Sequence, residues 1–262
     1  MSGIRLFRYG VLAGVTEFTE FWNWRTFFGG WMLQMLTQAL FFALLARLFG
    51  SPDHERFLLI GNAVAVGAAT IGWAIPASTW DRSYGTYPLL VIAPASLVPT
   101  TIGRTSVWLA TGVVTVLLMF IVLGALFDLG LPWPDTFFLI PLVVLTSTST
   151  YCLSLFLGTL VTRKPQFRNM FLAFLTIVAR AFCGVSVPVA FWPDVVQFIV
   201  RLLPMTHGLQ AIRLLLDEAS TVSILQAAGL EAIVGLAWIT LAILAMDRMA
   251  NAGRRDGSIE FV

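Results

Sequence analysis

Two ionisable residues stand inside long apolar stretches, where a charge needs an explanation. Arg180 lies in NMFLAFLTIVARAFCGVSV and Glu231 in SILQAAGLEAIVGLAWITLAIL. A guanidinium near the centre of a bilayer costs at least about 2.5 kcal/mol, so it requires a partner or water. Counted from Val187 and Ile224, where the two stretches should reach the outer surface, both residues lie about seven positions deep, roughly 10 Å at the helical rise. The matched depth predicts an intramembrane ion pair between Arg180 and Glu231, serving either as a structural tie or as part of a substrate path. Gln34 and Gln38, with Thr37 between them, share one helical face. Thr146, Thr148 and Thr150 belong to a hydroxyl-rich run ending at Tyr151. Both sets could line a path, and both could equally bond neighbouring helices and backbone. His207 follows Pro204 with no second histidine near it, which makes it a surface or capping residue rather than a metal ligand or catalytic base. Cys152 and Cys183 read as buried free thiols that pack as small hydrophobes. No metal site, no convergent catalytic group and no G-x-x-x-x-G-K-[ST] phosphate loop is present, so the chain itself is not expected to hydrolyse ATP by that route.

The elements that hold these residues follow from composition. The chain has 262 residues, 58% hydrophobic and 11% charged, with a mean hydropathy of +0.86, whereas soluble domains are nearer a quarter charged. It reads as a single all-α integral membrane domain over 1–262, with the lipid bilayer as its solvent. The formal net charge of +2 argues against nucleic acid as a partner. No removable signal peptide is expected from MSGIRLFRYG.

Residues 3–26 alternate apolar and charged groups at helical spacing and predict an interfacial helix. Six transmembrane spans are predicted at 27–48, 57–79, 106–127, 137–162, 169–187 and 224–246. The second is rich in Gly and Ala, the composition of a tightly packed helix. Pro188, Pro193 and Pro204 cut 188–216 into apolar pieces too short to cross singly, which predicts an outer hairpin, re-entrant or lying on the surface.

Eleven Lys and Arg fall on the side of the termini (Arg5, Arg8, Arg25, Arg82, Arg104, Arg163, Lys164, Arg168, Arg248, Arg254, Arg255) and four on the other (Arg47, Arg56, Arg201, Arg213). The positive-inside rule places both termini in the cytoplasm of a multi-pass cell-membrane protein. It places the loop 80–104 there as well.

That loop reads Asp81-Arg82-Ser83-Tyr84-Gly85-Thr86, then Leu89-Leu90 and Pro94-Ala95-Ser96, and its short apolar run suits a small helix near the membrane surface. The outer segment reads Cys183-Gly184-Val185-Ser186-Val187-Pro188, Trp192-Pro193 and Leu203-Pro204-Met205-Thr206-His207. Taken with the interfacial helix and the six spans, these motifs resemble the membrane subunit of ABC-2 type exporters over nearly the whole chain.

The resemblance implies the ABC-2 exporter fold and half of a transporter. Two such permeases, identical or similar, would pair, and each would rest a coupling helix in a separate ABC ATPase subunit, two copies per complex. ATP and Mg would be bound by that partner, with no cofactor in this chain. Asp81, Arg82, Gly85, Thr86, Tyr87, Leu89 and Leu90 are the residues implied to couple to it. Cargo would be amphipathic or apolar, such as a drug, an antibiotic or a lipid-linked molecule. A non-transporting membrane scaffold is the alternative from another class.

Overall fold

The structure, a computed structural model, describes residues 3–48, 52–85, 96–127 and 135–256. All regular structure among them is helical. Helix α1 is Gly3–Phe21 and α2 is Leu33–Leu48, entered through a short turn at Trp24–Thr26 and a π-helical stretch at Phe27–Met32. Helix α3 is Pro52–Gly72, continued by short turns Ala74–Ala77 and Trp80–Ser83. Then come α4 (Leu97–Phe127), α5 (Leu139–Thr162), α6 (Arg168–Phe182), α7 (Asp194–Arg201), α8 (Thr206–Leu216) and α9 (Thr221–Asp256).

Four of the described segments are long and apolar enough to cross a membrane: Asp53–Arg82, Leu97–Phe127, Thr136–Thr162 and Thr221–Ala252. The bent pair α7 and α8, meeting at 90°, would make a fifth if it counted as one span. Two predicted spans are shorter as regular helices. Helix α2 has 16 residues because the π-helical stretch occupies the start of 27–48, and α6 has 15 because the chain turns at Gly184, with φ +85°, before reaching Val187. Both fall below the roughly 20 residues that cross a bilayer without tilt or thinning. Helix α4 begins at Leu97, well before the expected Ser106, so Arg104 sits on a helix and not in a loop.

The Gly- and Ala-rich α3 is the central element, with 83% of its apolar window buried, against 22% for α9 and 33% for α4. Its small residues face close neighbours: a Cβ at Gly61 would collide with the Val185 carbonyl oxygen, and one at Gly67 with Val116. Around α3 a core of Leu59, Ile60, Val64, Met119, Phe120, Leu123, Leu209 and Ile212 joins α3, α4 and α8. A second core, Ile71, Trp108, Tyr151, Leu155, Ala242 and Met246, closes the other end.

Helix α1 lies against the first turns of α4. A Cβ at Gly14 would strike the Arg104 carbonyl oxygen and one at Gly103 the Phe7 carbonyl oxygen, so glycine on both helices permits backbone-to-backbone contact. Gly14→Leu is expected to lift α1 off α4 while leaving the spans packed. The check is proteolysis of purified protein: the variant should be cut near residue 20 much faster than wild type, and equal rates would refute the contact.

The outer segment is divided where its prolines stand. Pro188 precedes a turn at Val189–Phe191, Pro193 precedes α7, and Pro204 stands before α8. Proline fixes φ and offers no N–H, so it opens each short helix and ends the piece before it.

Candidate functional site

The 80–104 stretch is bounded at both ends by one guanidinium. Arg104, only 8% exposed, donates from Nε to Glu17 Oε2 at 2.8 Å and pairs through Nη2 with Glu17 and through Nη1 with Asp81. Glu17 belongs to α1, Asp81 to the turn that ends α3, and Arg104 to α4. One side chain therefore ties three elements, and the planar fork of arginine can serve two carboxylates where a lysine ammonium could not. Tyr151 supports the same region from α5, its hydroxyl donating to the Ile102 carbonyl at 2.9 Å and standing 2.7 Å from Thr105 Oγ1.

Of the expected coupling residues, Asp81 lies in this junction and Arg82 is half-buried beside it. Gly85 adopts a left-handed φ of +69°, its N–H donating to the Arg82 carbonyl at 3.1 Å. Glycine suits that conformation because it carries no Cβ. Thr86, Tyr87, Leu89 and Leu90 lie outside the described residues.

Tryptophans far apart in the sequence meet beside this junction. Trp22 packs on Trp31 (5.1 Å between ring centroids), Trp31 on Trp73 (5.9 Å), and Trp73 stacks on Trp108 (5.8 Å). Trp80 meets Trp108 edge-on at 6.4 Å. With Tyr84, Arg168 and Asn169, the rings Trp22, Trp73, Trp80 and Trp108 line a cavity of about 470 Å³. Arg168 thus stands at the same end of the bundle as Arg104. Sequence reasoning missed this group; its one signal was the nine tryptophans, which carry no pairing information.

Arg180 and Glu231 do not form the expected ion pair. Arg180 Nη2 donates to Gln38 Oε1 at 2.7 Å. The Glu231 carboxyl group, 0% exposed, accepts the N–H of Met205 at 2.7 Å and that of Gly208 at 2.9 Å, together with the Ser149 hydroxyl. The helix ends explain the difference. Helix α6 ends at Phe182, so Arg180 is in its last turn, whereas Glu231 lies ten positions into α9, which starts at Thr221. The two depths do not match. Glu231 is held instead by the N-terminus of α8, whose first amides have no partner within their own helix.

Met205, the residue before α8, has φ +78°, a conformation uncommon for a side chain with a Cβ. It turns its N–H onto Glu231. Gly208 lets the same turn press on α5, where a Cβ would strike Thr146 Oγ1.

The candidate path residues separate. Gln38 is half-buried and bonded to Arg180, whereas Gln34 is exposed. Thr146, Thr148 and Thr150 each donate to the carbonyl four residues back in α5, at 2.7, 2.7 and 2.8 Å. Thr146 and Thr150 are buried and Thr148 is exposed. From the same run, Ser149 and Tyr151 are the side chains that bond other helices. His207 is buried, not at the surface, with Nε2 3.0 Å from the Arg201 carbonyl oxygen. Cys152 and Cys183 are buried and free.

Gln38→Ala is expected to cost about 1.5–3 kcal/mol, the range for a hydrogen bond to a charged group. Exchanging the charges of Arg180 and Glu231 in a double variant should rescue neither single loss. Thermal unfolding in detergent checks both expectations, and rescue would restore the ion-pair reading.

At the end of the bundle away from Arg104, an apolar cavity of about 480 Å³ opens between the start of α5, the end of α8 and the start of α9, lined by Phe138, Leu142, Leu145, Leu215, Ile224 and Leu225 among others. A family model described as ABC-2 family transporter protein matches residues 81–244, a stretch that holds Asp81, Arg104, Arg180 and Glu231. No curated protein matches the chain.

Proposed function

The chain belongs to the ABC-2 family of transporter proteins, and we propose that it is the membrane-spanning permease subunit of an ATP-driven exporter. It is a multi-pass membrane protein, with four to five helices among the described residues able to cross a bilayer. In this reading six passes are completed by α2 with its π-helical entry and by α6, both termini are cytoplasmic, and the chain pairs with a second permease, identical or similar. ATP is hydrolysed in a separate ATPase subunit, two copies per complex.

The junction at Arg104 carries the proposal. Asp81 opens the 80–104 stretch, Arg104 closes it, and Glu17 binds α1 to the same guanidinium. A push on the residues between them would be passed to α1, α3 and α4 together, as a coupling element requires. Asp81, Arg82, Gly85, Thr86, Tyr87, Leu89 and Leu90 are assigned that role. An amphipathic or apolar cargo is supported by the apolar cavity beside α8 and by the tryptophan-lined cavity at the opposite end. Gln34, Gln38 and Thr148, which are exposed or half-buried, remain assigned to the wall of the path in the paired permease, whereas Thr146 and Thr150 are buried within this chain and serve its packing.

A benzoylphenylalanine photo-crosslinker at Tyr87 or Leu90 tests the coupling surface in whole cells. It should capture an ATPase chain, whereas the same group at Phe191, near the far end, should not. Absence of an ATPase adduct from both loop positions would favour a non-transporting scaffold.

A further inference from the structure

The hairpin formed by α7 and α8 borders a third, open-sided cavity, of about 360 Å³, against the start of α3, with Phe57, Gly184, Arg201, His207, Arg213 and Asp217 among its lining residues. It lies at the opposite end of α3 from Asp81, roughly 35 Å away at the helical rise of about 1.5 Å per residue. Its charge is unbalanced. Arg213 spreads its guanidinium over the Phe57 ring, 3.6 Å from the centroid, and donates Nη2 to the Phe57 carbonyl at 3.1 Å. Arg201 donates to Gln197 at 3.3 Å. Among the described residues neither arginine has a carboxylate within ion-pair distance: Asp217 pairs with Arg56 at 3.2 Å, although it is near enough to Arg213 to offset part of its charge.

One side chain lining this cavity also carries a buried N–H with no hydrogen-bond partner, Nε of Arg213, whereas His207 donates Nε2–H to the Arg201 carbonyl at 3.0 Å and leaves Nδ1 as an acceptor. A buried donor is normally satisfied, so the unpaired Nε–H of a side chain in the cavity wall leaves room for an acceptor there. Gly184 lies beside the guanidinium, where a Cβ would stand 3.6 Å from Arg213 Nη1.

The neighbouring surface is apolar. Phe191, Val195, Phe198, Ile199 and Leu202 are all more than half exposed on the same hairpin. A cationic, donor-rich cavity bordered by an apolar helix face matches an amphiphile with an anionic head and a hydrocarbon tail.

We infer that this cavity binds the phosphate head of an anionic amphiphile, a membrane phospholipid or a cargo of that form, with Arg201 and Arg213 facing the phosphate and the tail lying along α7. The assignment rests on the permease reading in placing this end at the outer leaflet. Lipid binding is measured without an ATPase, so the two readings fail separately.

The test is native mass spectrometry of the detergent-purified full chain with added dioleoylphosphatidylglycerol, with dioleoylphosphatidylcholine and inorganic phosphate as the other arms. Phosphatidylglycerol should be retained most tightly. Arg201→Gln, at an exposed side chain, should weaken retention about tenfold, the loss of one charge-assisted bond. Arg213→Gln should do so at least as strongly, and Arg213→Lys should retain most of the binding. Retention unchanged in Arg201→Gln and Arg213→Gln would overturn the site. Inorganic phosphate competing as well as the lipid would overturn the role given to the tail.

Discussion

Glu231→Ala is expected to be the most damaging single change in the chain. It leaves the N–H groups of Met205 and Gly208 without their acceptor in a fully buried place and returns the Ser149 hydroxyl to the Thr146 carbonyl at 3.2 Å. An unpaired buried donor costs about 1–3 kcal/mol, so the two amides alone are worth roughly 4 kcal/mol, on the order of 10 °C in unfolding temperature for a chain of this size. Glu231→Gln should fall between. Its amide offers one carbonyl acceptor but turns a donor toward one of the two N–H groups, keeping one bond and opposing the other. The same change bears on function, because Glu231 fixes α8 to α9 and so sets how the bent hairpin closes its end of the bundle. Unfolding followed by tryptophan fluorescence in detergent reads the effect. Equal melting of Glu231→Ala and wild type would mean that α8 is not seated on this carboxyl group.

Arg104→Ala should rank second. It removes both arms of the junction and takes the guanidinium away from Glu17 and Asp81, each about a fifth exposed. Breaking a buried pair by removing one partner costs about 3–5 kcal/mol; the partial exposure of the carboxylates puts the expected loss near the lower end, roughly 3 kcal/mol. Arg104→Lys should recover only part of it, because a single ammonium cannot satisfy two carboxylates in the fork geometry. Glu17→Ala and Asp81→Ala should each be mild, since Arg104 keeps its other partner. Together they should exceed the sum of the singles, because the double change strands a nearly buried guanidinium. An additive double variant would show that the three elements are not joined through this side chain.

The sequence revealed pattern better than partnership. Gly61, Gly67 and the alanines around them marked α3 as the packed helix, and its burial agrees. Proline positions marked the breaks of the outer hairpin, because proline acts on its own backbone and needs no distant contact. Asp81 and Gly85 could be singled out from motif and turn chemistry. Partnerships that depend on depth or on the meeting of separate elements were not legible. The Arg180 to Glu231 pairing failed because a few residues of error at each helix end shift the depth by about 1.5 Å per residue, and because an N-terminus from a third helix was already holding the carboxyl group. Arg104 looked like a topology-setting loop charge; nothing near it in sequence announces that Glu17, on a separate helix, completes its shell. The tryptophan group was hidden for the same reason. Hydrogen bonds of Thr146, Thr148 and Thr150 to their own helix are the ordinary resort of a hydroxyl in an apolar helix, which residue type alone does not distinguish from bonds across helices.

The most direct test of the central claim is ATP hydrolysis in material purified through this chain. Tagged wild type, extracted mildly and placed in nanodiscs, is compared with the double variant Gly85→Pro, Thr86→Asp, which changes the stretch bounded by Asp81 and Arg104 without touching either. The account predicts that wild type brings down an ATPase that hydrolyses ATP, and that the double variant loses the subunit or most of its activity while remaining folded. Hydrolysis equal in the two samples, or no ATPase with either, would contradict the assignment of this chain as a permease driven through the 80–104 stretch.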